Sequence, residues 1–474
     1  MKLFLLAVTM VLHLTACSFY GYSPTVEVAG EQYLSQGATH SLLKKWKKNG
    51  YQSTDKLKVS FTSKHKIAPK FENLISGKTI SMFATRKGDF GLPVAIEAQK
   101  HSFSVITKNA YLSQLYTGSL IAKKTAPNSY QLTLYDPLNT PKVKGASLRV
   151  QEKILMDHVI DKPGNLGLKF KGLLNPERYN YTKGIYLTEP YDKNKIPLVM
   201  IHGILSTPET FIDMAERIQQ DPELHKKYQI WFYYYPTGSP WLTSAADFRD
   251  TLNRLTKKLD PKNRYRNMRK MVIIAHSMGG LITRLSLSEP SNKISQAYLN
   301  GNDPLKLGNA DFAKSLDRFS HFKPLTQPAK VIFIATPHKG SLLAGGPMPW
   351  AARKVISIPK YILTTTSKLL IDSNDSIPPH TKKLLHRGET AVDQLKPSHP
   401  AIKTLNTMKM RKGIEVHSII ADIGLPIGVR FYTDGVVAYK NAHIPFAKTE
   451  TIVPSNHDTS DEDETIDAVI RILR

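Results

Sequence analysis

Cysteine is almost missing from this chain. One occurs in 474 residues, at position 17, which excludes a disulfide framework and any cysteine-rich zinc or iron–sulfur site. Long apolar runs are missing as well: after residue 20 no stretch approaches the roughly 18 residues that cross a bilayer. Acidic residues are scarce beside basic ones, 39 Asp and Glu against 65 Lys and Arg, for a formal net charge of +26. The basic residues form no dense block with interleaved aromatics; pairs such as Lys44-Lys45, Lys123-Lys124, Lys257-Lys258 and Lys382-Lys383 are scattered. No nucleic-acid partner is therefore expected, and the charge reads as a solvated face that could lie against a membrane. There is no phosphate-binding glycine loop and no spaced His/Asp set of zinc geometry, so neither a metal nor a cofactor is expected. What is present, 41% hydrophobic and 22% charged residues, is the composition of a folded globular chain, long enough for two domains. Nothing in the sequence bears on the oligomeric state.

The first residues have a different character. Met1-Lys2 supplies one positive charge, and Leu3 to Leu14 is almost continuously apolar. These are the two leading regions of a secretory signal, too short to span a bilayer stably. They end in Leu14-Thr15-Ala16-Cys17, which resembles the lipobox of bacterial lipoproteins. That resemblance implies cleavage after residue 16, lipid on Cys17 and a place at the bacterial cell envelope. With Ser18 rather than Asp following, it implies the outer membrane. Each lipid methylene buried contributes about 0.8 kcal/mol to such an anchor.

Beyond the leader the texture changes once. Between about 17 and 183, short alternating runs (Leu57-Val59-Phe61, Phe103-Val105, Tyr130-Leu132-Leu134 and Leu148-Val150) are separated by Gly, Pro and Asn. They predict a β-rich or α+β region of unassigned role. From 184 to 474, short continuous apolar runs alternate with helical periodicity. The runs are Pro197–Ile201, Tyr228–Tyr235, Met271–Ala275, Lys330–Ala335 and Ile414–Ala421. Leu242, Ala245, Phe248, Leu252, Leu255 and Leu259 recur at helical steps, as do Ile466, Val469, Ile470 and Leu473 near the end. Buried strands alternating with amphipathic helices predict a mostly parallel sheet. An insertion from about 338 to 412 separates the last two runs, and its apolar stretch Leu342 to Ile371 reads as a lid.

The chemistry concentrates at Ala275-His276-Ser277-Met278-Gly279-Gly280, between the run Val272-Ile273-Ile274 and the helical Leu281-Ile282-Thr283. A serine on so sharp a strand-to-helix turn needs small neighbours two positions before and two after it. Ala275 and Gly279 meet that need, although glycine is usual at the first place. The second feature is His202-Gly203-Ile204-Leu205, directly after an apolar run. This part of the chain resembles the α/β-hydrolases. The resemblance implies that Ser277 is a nucleophile and that the N–H groups of Ile204 and Met278 form an oxyanion hole. It also implies an acid and a histidine base later in the chain, with His202 structural. His457, in a late loop before the terminal helix, is the expected base, with His443 and His338 as competitors. The expected acid is Asp434, in Asp434-Gly435-Val436-Val437, with Asp422 at the end of the preceding strand as the alternative. Thr336-Pro337-His338-Lys339-Gly340, Tyr235-Pro236-Thr237-Gly238 and Val392–Pro397 resemble segments of lipase-like serine esterases.

Together these features predict an α/β-hydrolase fold: a mostly parallel central sheet with helices on both faces, a lid-like insertion and an N-terminal β-rich or α+β region. The implied activity is a membrane-anchored serine lipase or esterase that acts on lipid-like esters without a cofactor. An acyltransferase using the same triad, and an inactive scaffold, are the alternatives.

Overall fold

A computed structural model of the chain describes residues 183–299, 317–341, 390–424 and 433–474. Before these it describes the segments 25–28, 31–34, 38–39, 41–42, 56–62, 92–97, 103–113, 115–126, 129–135, 142–144 and 146–147. The leader with Cys17, the run Leu148-Val150 and the proposed lid segment Leu342 to Ile371 lie outside the described residues. The chain divides into two units, one of residues 1–100 and 115–154, the other of 101–114 and 155–474.

In the first unit the described residues form a six-stranded sheet of order β1-β2-β7-β8-β3, with β4 pairing off β7. Its strands are β1 (Thr25–Val28), β2 (Glu31–Leu34), β3 (Lys56–Thr62), β4 (Leu92–Glu97), β7 (Leu115–Ala126) and β8 (Ser129–Tyr135), and β9 (Lys142–Val143) and β10 (Ala146–Ser147) form a separate antiparallel pair. Two of the alternating runs lie here as expected, and Leu132 and Leu134 are buried. The third is assigned differently. Residues 103–113 form a hairpin of β5 (Phe103–Thr107) and β6 (Ala110–Ser113) that adds to the sheet of the second unit. The sequence division at 183/184 therefore misplaces this hairpin. Period-2 alternation marks a half-buried strand but not the sheet it joins.

Among the described residues the second unit is built on nine strands in the order β17-β16-β15-β14-β12-β13-β11-β6-β5. The remaining strands are β11 (Gly184–Leu187), β12 (Ile196–Ile201), β13 (Tyr228–Tyr234), β14 (Met271–His276), β15 (Pro328–Ile334), β16 (Glu415–Ala421) and β17 (Thr449–Val453). From β13 to β17 every pairing is parallel, while β11 runs antiparallel to β13. Strands covered on both faces have no solvent side, which is why β13 and β14 are buried at every position and read as continuous apolar runs.

Alternate residues of each strand serve opposite faces. Val199, Ile201, Trp231, Tyr233, Ile273 and Phe333 pack with the helices α2 (Trp241–Leu259) and α3 (Met278–Leu287). Leu198, Met200, Phe232, Ile274 and Ile332 pack with α1 (Ile212–Gln220) and α5 (Asp463–Leu473), the helix α4 (Pro400–Thr407) lying between α3 and α5 in sequence. On α2 the residues Leu242, Ala245, Phe248, Leu252 and Leu255 of the expected stripe are buried and its last member, Leu259, is half-buried, each large aliphatic or aromatic side chain that is fully buried contributing about 1.5–3 kcal/mol. On α5 the acidic Asp463 and Glu464 occupy the first turn, where they complement the helix dipole. This is the α/β-hydrolase architecture that the motifs implied. Its chemistry belongs at the carboxyl ends of the parallel strands.

Candidate active site

Strand β14 ends at His276 and helix α3 begins at Met278, leaving Ser277 alone to make the turn. It does so with φ 52° and ψ −123°, a conformation that non-glycine residues rarely adopt and that clusters at functional sites. Its amide donates to the Ile334 carbonyl of β15 at 2.9 Å, so the serine stays tied to the sheet while its side chain is lifted away.

The neighbouring positions show why they are small. A Cβ on Gly279 would stand 2.4 Å from the Ile201 carbonyl oxygen, and one on Gly280 would stand 2.0 Å from Oγ1 of Thr336. Helix α3 thus presses against β12 and against the Thr336-Pro337 loop. On the other side, a Cβ on Gly203 would meet Cβ of Ser277 at 2.8 Å. The His202-Gly203 loop therefore passes directly against the nucleophile elbow, and Ile204 packs half-buried on the core behind it. Met278 is the first residue of α3, where a helical N–H has no partner within the helix.

The structure brings Ser277, His457 and Asp434 into one chain of hydrogen bonds. The Ser277 hydroxyl donates to Nε2 of His457 at 2.8 Å. Nδ1–H of His457 donates to Oδ2 of Asp434 at 2.6 Å. The other carboxylate oxygen of Asp434 accepts the amides of Val436 at 2.8 Å and Val437 at 2.6 Å. Asp434 is buried, so these three donors stand in for the water it has lost. The Asp434-Gly435-Val436-Val437 segment therefore carries both the carboxylate and the amides that orient it.

Competing residues are engaged elsewhere. His443 bonds Glu450 at 2.8 Å through Nδ1. His338 is buried edge-on against Phe333, and burial holds its pKa well below the usual histidine value. His202 bonds the Gly203 carbonyl, accepts the Tyr235 amide and stacks on the Tyr235 ring at 4.5 Å. Asp422 accepts the amides of Gly424 and Thr433, which makes it a brace for the loop that carries Asp434.

The three further motifs meet one another behind the site. Ala391 donates to the Gly238 carbonyl, and Trp241 and Leu242 at the start of α2 donate to Gln394. Ser341, just past the Thr336–Gly340 loop, donates its hydroxyl to the Val436 carbonyl at 2.7 Å. These segments position the acid loop and the first turn of α2.

Residues 192–396 match the family described as "Putative serine esterase (DUF676)". That span contains Ser277 and the His202-Gly203 loop and ends before Asp434 and His457. The chain is a serine ester hydrolase. No curated protein matches it. Among solved structures it is similar to the Bacillus licheniformis lipase BlEst2 in mature form. That likeness has 17% identity, covers 60% of this chain and 94% of that one, and has a TM-score of 0.34. For lipase 1 from Pelosinus fermentans the values are 13%, 59%, 98% and 0.34. For the phospholipase PlaB from Legionella pneumophila they are 14%, 52%, 46% and 0.31. The fold of this hydrolase rests on its own sheet order, strand directions and elbow.

One residue of the hydrolase site carried no signal in the sequence. His276 is buried beside the nucleophile, with Nε2 2.8 Å from the main-chain oxygen of His457. Burial first, and the nearby His457 second, lower its pKa to about 4. A histidine next to the serine matches no spacing rule, so only the fold reveals what it touches.

Proposed function

We propose that the protein is a lipid-anchored carboxylic ester hydrolase of the bacterial cell envelope, at the outer membrane, acting on lipid-like esters. The observation that carries the chemistry is the unbroken path from Ser277 through His457 to Asp434. Ser277 attacks the ester carbonyl while His457 takes its proton at Nε2. The N–H groups of Ile204 and Met278 receive the developing oxyanion, a contribution of roughly 3–4 kcal/mol per donor in comparable sites. His457 then gives the proton to the leaving alcohol, and the acyl group remains on Ser277. Water, deprotonated by the same imidazole, releases the acid. Asp434 holds the tautomer and stabilises the imidazolium.

Two features support a lipid-like substrate. Leu205 and Ile423 are exposed apolar side chains in the loops that leave β12 and β16, at the same carboxyl end of the parallel strands as Ser277. The Leu14-Thr15-Ala16-Cys17 sequence supports a tether that would hold the enzyme at its substrate. The test is hydrolysis of p-nitrophenyl esters of rising chain length by the full-length protein, together with membrane fractionation of wild type and Cys17→Ser. The expected result is a preference for longer chains and release of the Cys17→Ser protein into the soluble fraction with its activity on soluble esters intact. A preference for acetate over longer chains would remove the lipid-like substrate, and a Cys17→Ser protein that still pellets would remove the anchor. Transfer of the acyl group to an added alcohol in place of water would redirect the assignment to an acyltransferase.

A further inference from the structure

His457 lies in the loop between β17 and α5, so no ladder or helix fixes its main chain. Nearby, Ser455 donates to the Asp422 and Val453 carbonyls, and Asp458 donates to Asn456. At His457 itself the main-chain oxygen accepts from Nε2 of His276 at 2.8 Å, with the two rings 5.1 Å apart. His276 is in turn rigidly placed. It is the last residue of β14, its ring is buried, and a Cβ on Gly203 would fall 3.0 Å from its Nδ1. The ring is therefore wedged between the oxyanion loop and the loop of the base, one residue before the nucleophile.

We propose that His276 is a positioning residue, a neutral imidazole whose Nε2–H holds the main chain of His457 and thereby sets the distance between that histidine and Ser277. This rests on the assignment of His457 as the base. A carbonyl can only accept, so the proton of His276 belongs on Nε2, and a ring whose pKa is lowered to about 4 stays neutral across the working range of an esterase. A neutral ring also places no positive charge beside a base that must itself become an imidazolium. Catalytic geometry is sensitive to such support, because displacements of about 1 Å can lower rates by about a hundredfold.

The experiment compares wild type, His276→Leu and His276→Gln on a soluble p-nitrophenyl ester, with fluorophosphonate labelling rates in parallel. The leucine variant fills the space without a donor, and kcat should fall roughly tenfold or more with KM within about twofold. Gln places an amide N–H near the position of Nε2 and should recover most of the loss in both readouts. Leucine at wild-type kcat, or glutamine no better than leucine, would overturn the proposal. A wild type that neither labels nor turns over would instead overturn the esterase assignment. The histidine side-chain ¹⁵N spectrum of the wild-type protein tests the proposal without any variant. His276 should give the neutral Nε2–H pattern from pH 5 to 9. An Nδ1–H pattern, or titration within that range, would overturn it.

Discussion

Replacing Asp434 with Asn changes one oxygen to an NH2 group and almost nothing in shape. Its consequence can be worked out from the three hydrogen bonds around the carboxylate. One oxygen accepts two amides, from Val436 and Val437, and the other accepts Nδ1–H of His457. If the new carboxamide turned its NH2 toward the two amides, three donors would face one another in a buried place. Leaving such groups unpaired costs about 1–3 kcal/mol each. The carboxamide oxygen will therefore stay on the Val436 and Val437 amides, and the NH2 will face Nδ1 of His457. His457 must then accept at Nδ1 and carry its proton on Nε2, toward Ser277, where it cannot take the serine proton. A wrong tautomer of this kind lowers kcat by about 10⁴-fold, equivalent to about 5 kcal/mol of barrier. The assay is kcat on a soluble p-nitrophenyl ester, with KM expected near wild type and the melting temperature within a few degrees. A loss smaller than about tenfold would refute the reasoning, since it would mean that the Asp434 contact does not set the imidazole tautomer.

Two further predictions concern the elbow and the buried histidine. Gly279→Ala places a Cβ 2.4 Å from the Ile201 carbonyl, a backbone contact that cannot swing aside. It should lower stability by about 1–3 kcal/mol and depress turnover, as measured by chemical unfolding and kcat; an alanine variant of native stability and activity would refute it. His276 titrates at about 4 in the fold against an ordinary 6.5, so between those values the unfolded chain binds more protons than the folded one, and stability falls as pH falls. The contribution is up to about 3 kcal/mol. It appears as a flatter stability profile in His276→Gln than in wild type between pH 7 and pH 4, and parallel profiles would contradict it.

Much of the site was legible because its chemistry imposes local rules. The elbow needs small residues at Ala275 and Gly279, a strand before it and a helix after it, and each is a property of adjacent residues. Asp434 was legible only through the resemblance of Asp434-Gly435-Val436-Val437 to an acid loop of the α/β-hydrolases; the structure adds the physical reason, the Val436 and Val437 amides that hold its carboxylate. What escaped depends on contacts between distant segments. The role of His276 exists only because the loop of His457 folds back over it, 181 residues later. Strand β11 is four residues long, too short for any periodicity to declare itself. Strand β17 is polar on most of its length, with a sequence of Thr-Glu-Thr-Ile-Val and mostly exposed side chains, because it closes the sheet at an edge. The hairpin at 103–113 alternates as any half-buried strand does, and its assignment to the larger sheet rests on pairing with β11.

The central claim is that Ser277, activated by His457 and Asp434, is the nucleophile. The most direct measurement is labelling of wild type and Ser277→Ala with a fluorophosphonate probe, read by intact mass and by mapping the modified peptide. The wild-type protein should gain a single adduct on the peptide containing Ser277, and Ser277→Ala should gain none while melting at the wild-type temperature. An adduct of equal extent on the alanine variant, or a wild-type adduct mapped to another residue, would contradict the account.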